Sequence, residues 1–145
     1  MTPDYRFDIR LYRRPTDALP GPEFTGSGDG IPTLSVPVER QAEPMAITFE
    51  ESLDRLASLP GCYAEPDGSI VWTASGPEGR WQVDGNLYDR GGKIVNARFA
   101  GQCPAEAFDR LLACFGWPEE PLMMELVRAG VFVGDDAFRR VATHR

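Results

Sequence analysis

Two alternating segments joined by a glycine turn constrain the fold more than any other feature of the chain. In residues 81–88, and again in 93–99, apolar or small residues occupy every second position. Side chains alternate between the two faces of a β-strand, so each segment predicts a strand with one buried face. The intervening Arg90, Gly91 and Gly92 are suited to a tight hairpin turn, because glycine tolerates positive φ. The chain is therefore expected to place an antiparallel hairpin on an apolar layer.

The register of this hairpin follows from keeping the apolar residues of both strands on one face. A three-residue loop with Gly92 in the left-handed region pairs Asp89 with Lys93. The expected buried pairs are Leu87–Val95, Gly85–Ala97 and Val83–Phe99, and the expected pairs on the other face are Asp84–Arg98 and Asn86–Asn96. A two-residue loop would instead set Leu87 against Asn96 and divide the core face.

Further elements are predicted on both sides of the hairpin. Alternation in residues 5–12 predicts an N-terminal strand, and residues 62–64 and 70–74 predict two strands joined by a turn. Thr48 followed by Glu51 is a capping box that predicts a helix start. A second helix is expected with Pro104 at its first position and an inward stripe of Phe108, Leu111, Leu112 and Phe115. A last helix is expected to be capped by Asp135. Residues 122–127 fit either a helix or a strand.

The expected fold class is α+β, with an antiparallel four-stranded meander packed on two helices, an N-terminal strand and C-terminal helices. From residue 34 to residue 115 the order is strand, helix, four strands, helix. This order resembles the TATA-binding-protein-like topology, which implies a curved sheet backed by two helices. The resemblance lies in element order alone. We expect residues 1–145 to form one domain, with an irregular Pro- and Gly-rich connection over 14–32.

The composition disfavours several classes of protein. The formal net charge is −7, whereas nucleic-acid binding requires a basic surface, so no nucleic-acid partner is expected. No apolar run approaches the roughly 20 residues of a membrane span, and the first residues do not resemble a secretion signal. Three cysteines without CxxC spacing favour reduced thiols rather than a disulfide framework. A cytoplasmic location, without membrane association, is the resulting expectation.

The chain also lacks the usual motifs of catalysis. The only histidine is His144, at the end of the chain, so sites that need a positioned imidazole are not expected. Neither a dinucleotide-binding nor a phosphate-binding glycine motif occurs. No cofactor or metal is therefore predicted, and the chain is expected not to be an enzyme. Cys103 is the one candidate for a reactive thiol, because a cysteine at a helix N-terminus has a lowered pKa; the alternative is a small residue at a helix entry.

The candidate binding residues lie on the polar face of the predicted hairpin. They are Gln82, Asp84, Asn86 and Tyr88 on one strand and Asn96 and Arg98 on the other. Amides, a carboxylate, a guanidinium and a phenol on one patch are suited to a polar ligand or to a partner protein. A solvated face with a cross-strand ion pair is the alternative interpretation.

The leading functional hypothesis is a non-enzymatic protein of the bacterial immunity or adaptor kind, acting by protein–protein interaction. Its acidic charge favours a basic partner protein. The alternative is a small-molecule-binding domain that uses the polar sheet face or a cleft lined by tryptophans. A third hypothesis is an enzyme that uses Asp84, Arg98 or Cys103. Rising salt should weaken binding to a basic partner but not binding of a buried neutral ligand.

Overall fold

The computed structural model describes residues 4–25, 30–77 and 79–143, which form a mixed α+β fold with three helices and a nine-stranded antiparallel sheet. The strands are β1 (Asp4–Arg13), β2 (Leu19–Pro20), β3 (Leu34–Ser35), β4 (Cys62–Ala64), β5 (Ser69–Gly76), β6 (Gly79–Arg90), β7 (Lys93–Pro104), β8 (Leu122–Leu126) and β9 (Val131–Val133). The helices are α1 (Phe49–Ala57), α2 (Ala105–Ala113) and α3 (Asp135–Thr143). His144 and part of the connection over 14–32 lie outside the described residues.

The sheet is larger than the sequence predicts. Its strand order is β2-β3-β9-β8-β1-β7-β6-β5-β4, so β4 to β7 continue into five further strands. β1 is central: it pairs with β7 on one side and with β8 on the other. The prediction of a four-stranded sheet therefore gave too few strands. The TATA-binding-protein-like order is not confirmed, since β3 is separated from β7 by β9, β8 and β1. Alternation in β1 indicates a strand but cannot indicate its neighbours.

The ambiguous segment over 122–127 contributes a strand, so α3 is the one helix described after α2. Leu122, Met123 and Met124 are all buried, which means that both faces of β8 are covered. A strand covered on both faces shows no alternation, and this is why the sequence pattern did not distinguish it from a helix. Inside the connection predicted to be irregular, Leu19–Pro20 pairs with Leu34–Ser35, and Phe24 forms a bridge with Ile31.

The predicted register of the β6–β7 hairpin is wrong by one residue next to the turn and by two residues from Tyr88 onward into the sheet. Arg90 pairs with Lys93 across a two-residue Gly91–Gly92 turn, in which both glycines have positive φ. Val95 is then an extra residue: Asp89 faces Ile94, whereas Tyr88 faces Asn96. The resulting pairs are Leu87–Ala97, Gly85–Phe99, Val83–Gly101, Asn86–Arg98 and Asp84–Ala100.

Side-chain size explains this register. Gly85 lies opposite the buried ring of Phe99, and a Cβ at Gly85 would collide with that ring. Gly101 likewise faces Val83. The bulge at Val95 shifts the alternation by one residue, so that Ile94 and Ala97 are both fully buried. Because the error in register is even, the assignment of Leu87, Val83, Ala97 and Phe99 to the buried face still holds.

The cap of α1 and the apolar stripe of α2 are as the sequence predicts. The other two helix starts differ from the prediction by one residue: Pro104 is the extended N-cap of α2 and not its first helical residue, and α3 begins at Asp135 itself. Thr48 Oγ1 accepts a hydrogen bond from the Glu51 amide at 3.1 Å and donates to Glu51 Oε1 at 3.0 Å, which confirms the capping box. The α2 stripe is buried at Phe108, Leu111 and Leu112, with Phe115 just after the helix. We call the sheet surface against these helices the inner face, and the opposite surface the outer face.

Removing the hydroxyl of Ser52 should stabilise the protein. Ser52 lies in α1, is fully buried, and its Oγ has no hydrogen-bond partner among the described residues. Because a buried unsatisfied hydroxyl costs about 1–3 kcal/mol, Ser52→Ala should raise the free energy of unfolding by about 1 kcal/mol in urea melts. Thr48→Ala, in the cap of the same helix, should lower it by about 1 kcal/mol. Destabilisation by Ser52→Ala would mean that its hydroxyl has a partner in solution.

Candidate recognition surface

The outer face carries all six predicted binding residues. Gln82, Asp84, Asn86 and Tyr88 are exposed on β6, and Asn96 and Arg98 are half-buried on β7. Alternation in the strands directs these side chains away from Trp72, Val83 and Phe99, which are buried in the core on the inner face. The outer face of β6 and β7 is therefore a polar surface open to solvent.

The predicted pairing of Asp84 with Arg98 is wrong. Asp84 lies opposite Ala100, and its Oδ1 accepts a hydrogen bond from Gln82 Nε2 at 2.9 Å on the same strand. Arg98 instead donates to Asp8 on the neighbouring strand β1, from Nε to Oδ1 at 3.1 Å and from Nη2 to Oδ2 at 2.9 Å. This bidentate hydrogen bond, with the nearby charge of Asp8, raises the pKa of Arg98. The guanidinium is thus held in a fixed orientation on the outer face.

A second arginine from β1 completes the centre of this surface. Arg10 Nη1 donates to Asn96 Oδ1 at 3.2 Å, and the Arg10 guanidinium lies 5.7 Å from the centre of the Tyr88 ring. Asp8 and Arg10 both lie on β1. Their alternation with Phe7 and Ile9 places them on the outer face, but only the adjacency of β1 and β7 brings them to Asn96 and Arg98.

Exposed apolar side chains flank this polar centre. Tyr63 is 66% exposed and Val71, its cross-strand partner, is 42% exposed; Tyr88 is 41% exposed. Tyrosine and arginine are enriched at the centres of protein interfaces, where a phenol ring supplies apolar area and a polar tip. We call Tyr63, Val71, Tyr88, Arg10 and Arg98, with the polar residues among them, the outer-face patch.

The environment of Cys103, the candidate for a reactive thiol, differs from that of the outer-face patch. It lies on the inner face at the end of β7 and is fully buried. Burial, with a smaller contribution from the charge of Asp4, raises the pKa of its thiol to about 12. A protonated thiol without solvent access is a weak nucleophile, so the geometry gives no support to a reactive cysteine. Cys62 and Cys114 are also free thiols with pKa values raised by burial to about 11.

Trp72 and Trp81 are both buried in the core, and Trp117 is half-buried against it. Trp72 is buried and donates from Nε1 to the Pro60 carbonyl at 3.0 Å, and its ring meets that of Trp81 edge-on. Trp81 also lines a groove of about 900 Å³. The groove borders residues 6–9 of β1, next to the point where the pairing of β1 with β8 begins at Ile9. We call it the β1-edge groove; the ends of β6 and β7, residues 126–129 and α3 complete its wall.

The described residues provide no metal-ligand cluster of three or more His, Cys, Asp or Glu side chains. None of the helices in the described part of the chain is long and apolar enough to cross a membrane. Comparisons of this chain with protein-family models, with curated proteins and with solved structures gave no match.

Proposed function

We propose that this protein acts without catalysis, by binding a partner protein through the outer-face patch, as immunity and adaptor proteins do. The observation that carries the proposal is the ordered arginine pair at the centre of the patch. Asp8 fixes Arg98, and Asn96 with Tyr88 fixes Arg10, so both guanidinium groups are oriented before any partner arrives. Such pre-organisation reduces the entropy lost on binding.

The surroundings of the arginines support the same function. Tyr63, Val71 and Tyr88 offer apolar surface beside the charged centre. A polar face of this kind needs no internal partners, because water satisfies its groups until a partner replaces the water. The formal charges at the centre of the patch balance, because Arg10 and Arg98 lie with Asp8 and Asp84. The net charge of −7 therefore acts at longer range, where it would speed the approach of a basic partner at low salt.

Capture of the partner from a lysate of the native host, quantified by mass spectrometry, tests this proposal. Arg98→Ala and Tyr63→Ser should each lose a binder that the parent protein retains, and should leave the melting temperature nearly unchanged, because both side chains are substantially exposed. Higher salt should release the same binder if it is basic.

Val83→Ala is the matched control on the inner face of the same hairpin. Val83 is buried, so this change should lower the free energy of unfolding by about 1–3 kcal/mol while the folded fraction retains the binder. If both Arg98→Ala and Tyr63→Ser bound the partner as tightly as the parent protein does, the partner would bind elsewhere on the molecule.

Binding of a small molecule is the second candidate function, and the β1-edge groove favours it. Its volume of about 900 Å³ lies within the range of small-molecule sites, about 300–1,000 Å³. Trp81 is the one tryptophan among the described lining residues, so the wall of this groove is formed mainly by other side chains.

A further inference from the structure

We infer that the β1-edge groove takes a small amphipathic anion, a carboxylate carried on an aliphatic or aromatic body. This inference rests on the second candidate function and names the ligand class for it. It follows from three properties of the groove wall: its positive charge, which has no ion-pair partner among the described residues, its partly exposed apolar surface and its size.

Positive charge dominates the ionisable groups of the wall. Arg6, Arg80 and Arg128 line the groove and are exposed. None of the three forms an ion pair with another described residue. Asp8 is the one carboxylate among the described lining residues, and Arg98 already binds both of its oxygens. A local excess of positive charge in a protein of net charge −7 attracts an anion to this groove in preference to the surrounding surface.

The rest of the wall is apolar. Phe7, Phe24, Val127 and Val141 line the groove and are half-buried, so each leaves part of its apolar surface accessible. Ile9, Phe138 and Ala142 also line the groove and are buried. Covering accessible apolar surface is favourable, and a hydrocarbon body would do so while an anionic head group met the arginines.

The dimensions favour a small molecule over a protein segment. The volume of about 900 Å³ accommodates a ligand of drug-like size. The chain at Val127, whose amide donates to the Asp8 carbonyl at 3.2 Å, closes the groove where β8 joins β1. An extended peptide would need an edge that continues past this point.

Isothermal titration calorimetry with octanoate provides the test, and hexanoate, 1-octanol and octyltrimethylammonium are the comparison ligands. Octanoate should bind one site per chain, more weakly as salt rises, and more tightly than hexanoate, since each buried methylene contributes up to about fourfold in affinity. The neutral alcohol should bind more weakly than octanoate, and the cation should not bind.

Variants assign the binding to the groove. Arg80→Gln and Arg128→Gln should each weaken octanoate binding about five- to tenfold, because each removes a charged donor. Val141→Glu should abolish binding by placing a carboxylate in the groove. Arg140→Gln is the matched control, an exposed arginine of α3 that does not line the groove, and it should bind octanoate as the parent does.

The possible failures can be distinguished. Equal binding of octanoate and octyltrimethylammonium, or no loss in Arg80→Gln and Arg128→Gln, would overturn the assignment of an anion while leaving the groove a ligand site. If none of the amphiphiles binds, the inference and the second candidate function are both overturned. Partner capture through the outer-face patch does not depend on either result.

Discussion

Truncation of Phe108 to alanine should cost the protein about 3–5 kcal/mol of unfolding free energy. Phe108 is fully buried in α2, where its ring stacks on Phe138 with centres 4.8 Å apart and meets Tyr5 and Phe7 edge-on. The substitution removes the ring that joins α2, α3 and β1, and the cavity can close only in part. Since a typical domain has only about 5–15 kcal/mol of stability, urea melts should show a large fall in the midpoint.

Leu19→Ala serves as the comparison for Phe108→Ala. Leu19 is 64% exposed on the short strand β2, so its truncation should change the free energy of unfolding by no more than about 0.5 kcal/mol. A loss below about 1 kcal/mol for Phe108→Ala would contradict the packing of both helices on β1.

A single methyl group at Gly101 should destabilise the sheet by about 2–4 kcal/mol, through backbone strain together with a steric clash. Gly101 has a φ of 140°, in a region that other residues rarely adopt. A Cβ at this position would collide with the backbone oxygen of Gln82 on β6. Since that oxygen belongs to the strand backbone, Gly101→Ala can be relieved only by displacing β6 or β7, and thermal and urea melts should both detect it.

Gly91→Asn separates backbone strain from steric clash. Gly91 has a φ of 61°, and a Cβ there would meet no atom within 4 Å. Asparagine tolerates this conformation, so the variant should lose less than about 1 kcal/mol. If Gly91→Asn and Gly101→Ala lowered the free energy of unfolding equally, the close approach of β6 would not be the cause of the destabilisation at Gly101.

The helices and the division of the β6–β7 hairpin into two faces were predictable from sequence because both depend on local rules. The Thr48–Glu51 box and the Pro104 start involve residues within one turn of helix, and the stripe containing Phe108 and Leu111 repeats with the helical period. The six candidate residues reached one polar face for the same reason, since alternation alone decides the side of a strand to which a residue points.

The partners of those residues depended on tertiary structure. Arg98 was expected to face Asp84, and it binds Asp8, a residue 90 positions away along the chain. A one-residue bulge at Val95 and the fit of Gly85 to Phe99 set the register, and period-two alternation contains no signal for either. The β1-edge groove could not be predicted either, because its wall combines residues of β1, β6, β7 and α3 that are far apart in the chain.

The sequence by itself determined most of the helices and strands around the core and which side chains of the hairpin leave that core. Those outcomes follow from the apolar period and from capping and turn residues, all of which act over a few positions. The exceptions are residues 122–127 and the pairing of β2 within the connection over 14–32. Tertiary structure decided that β1 lies between β7 and β8, and thereby brought Asp8 and Arg10 to Arg98 and Asn96. Strand order and register depend on the shape fit of residues far apart in the chain, and a local pattern is compatible with several such fits.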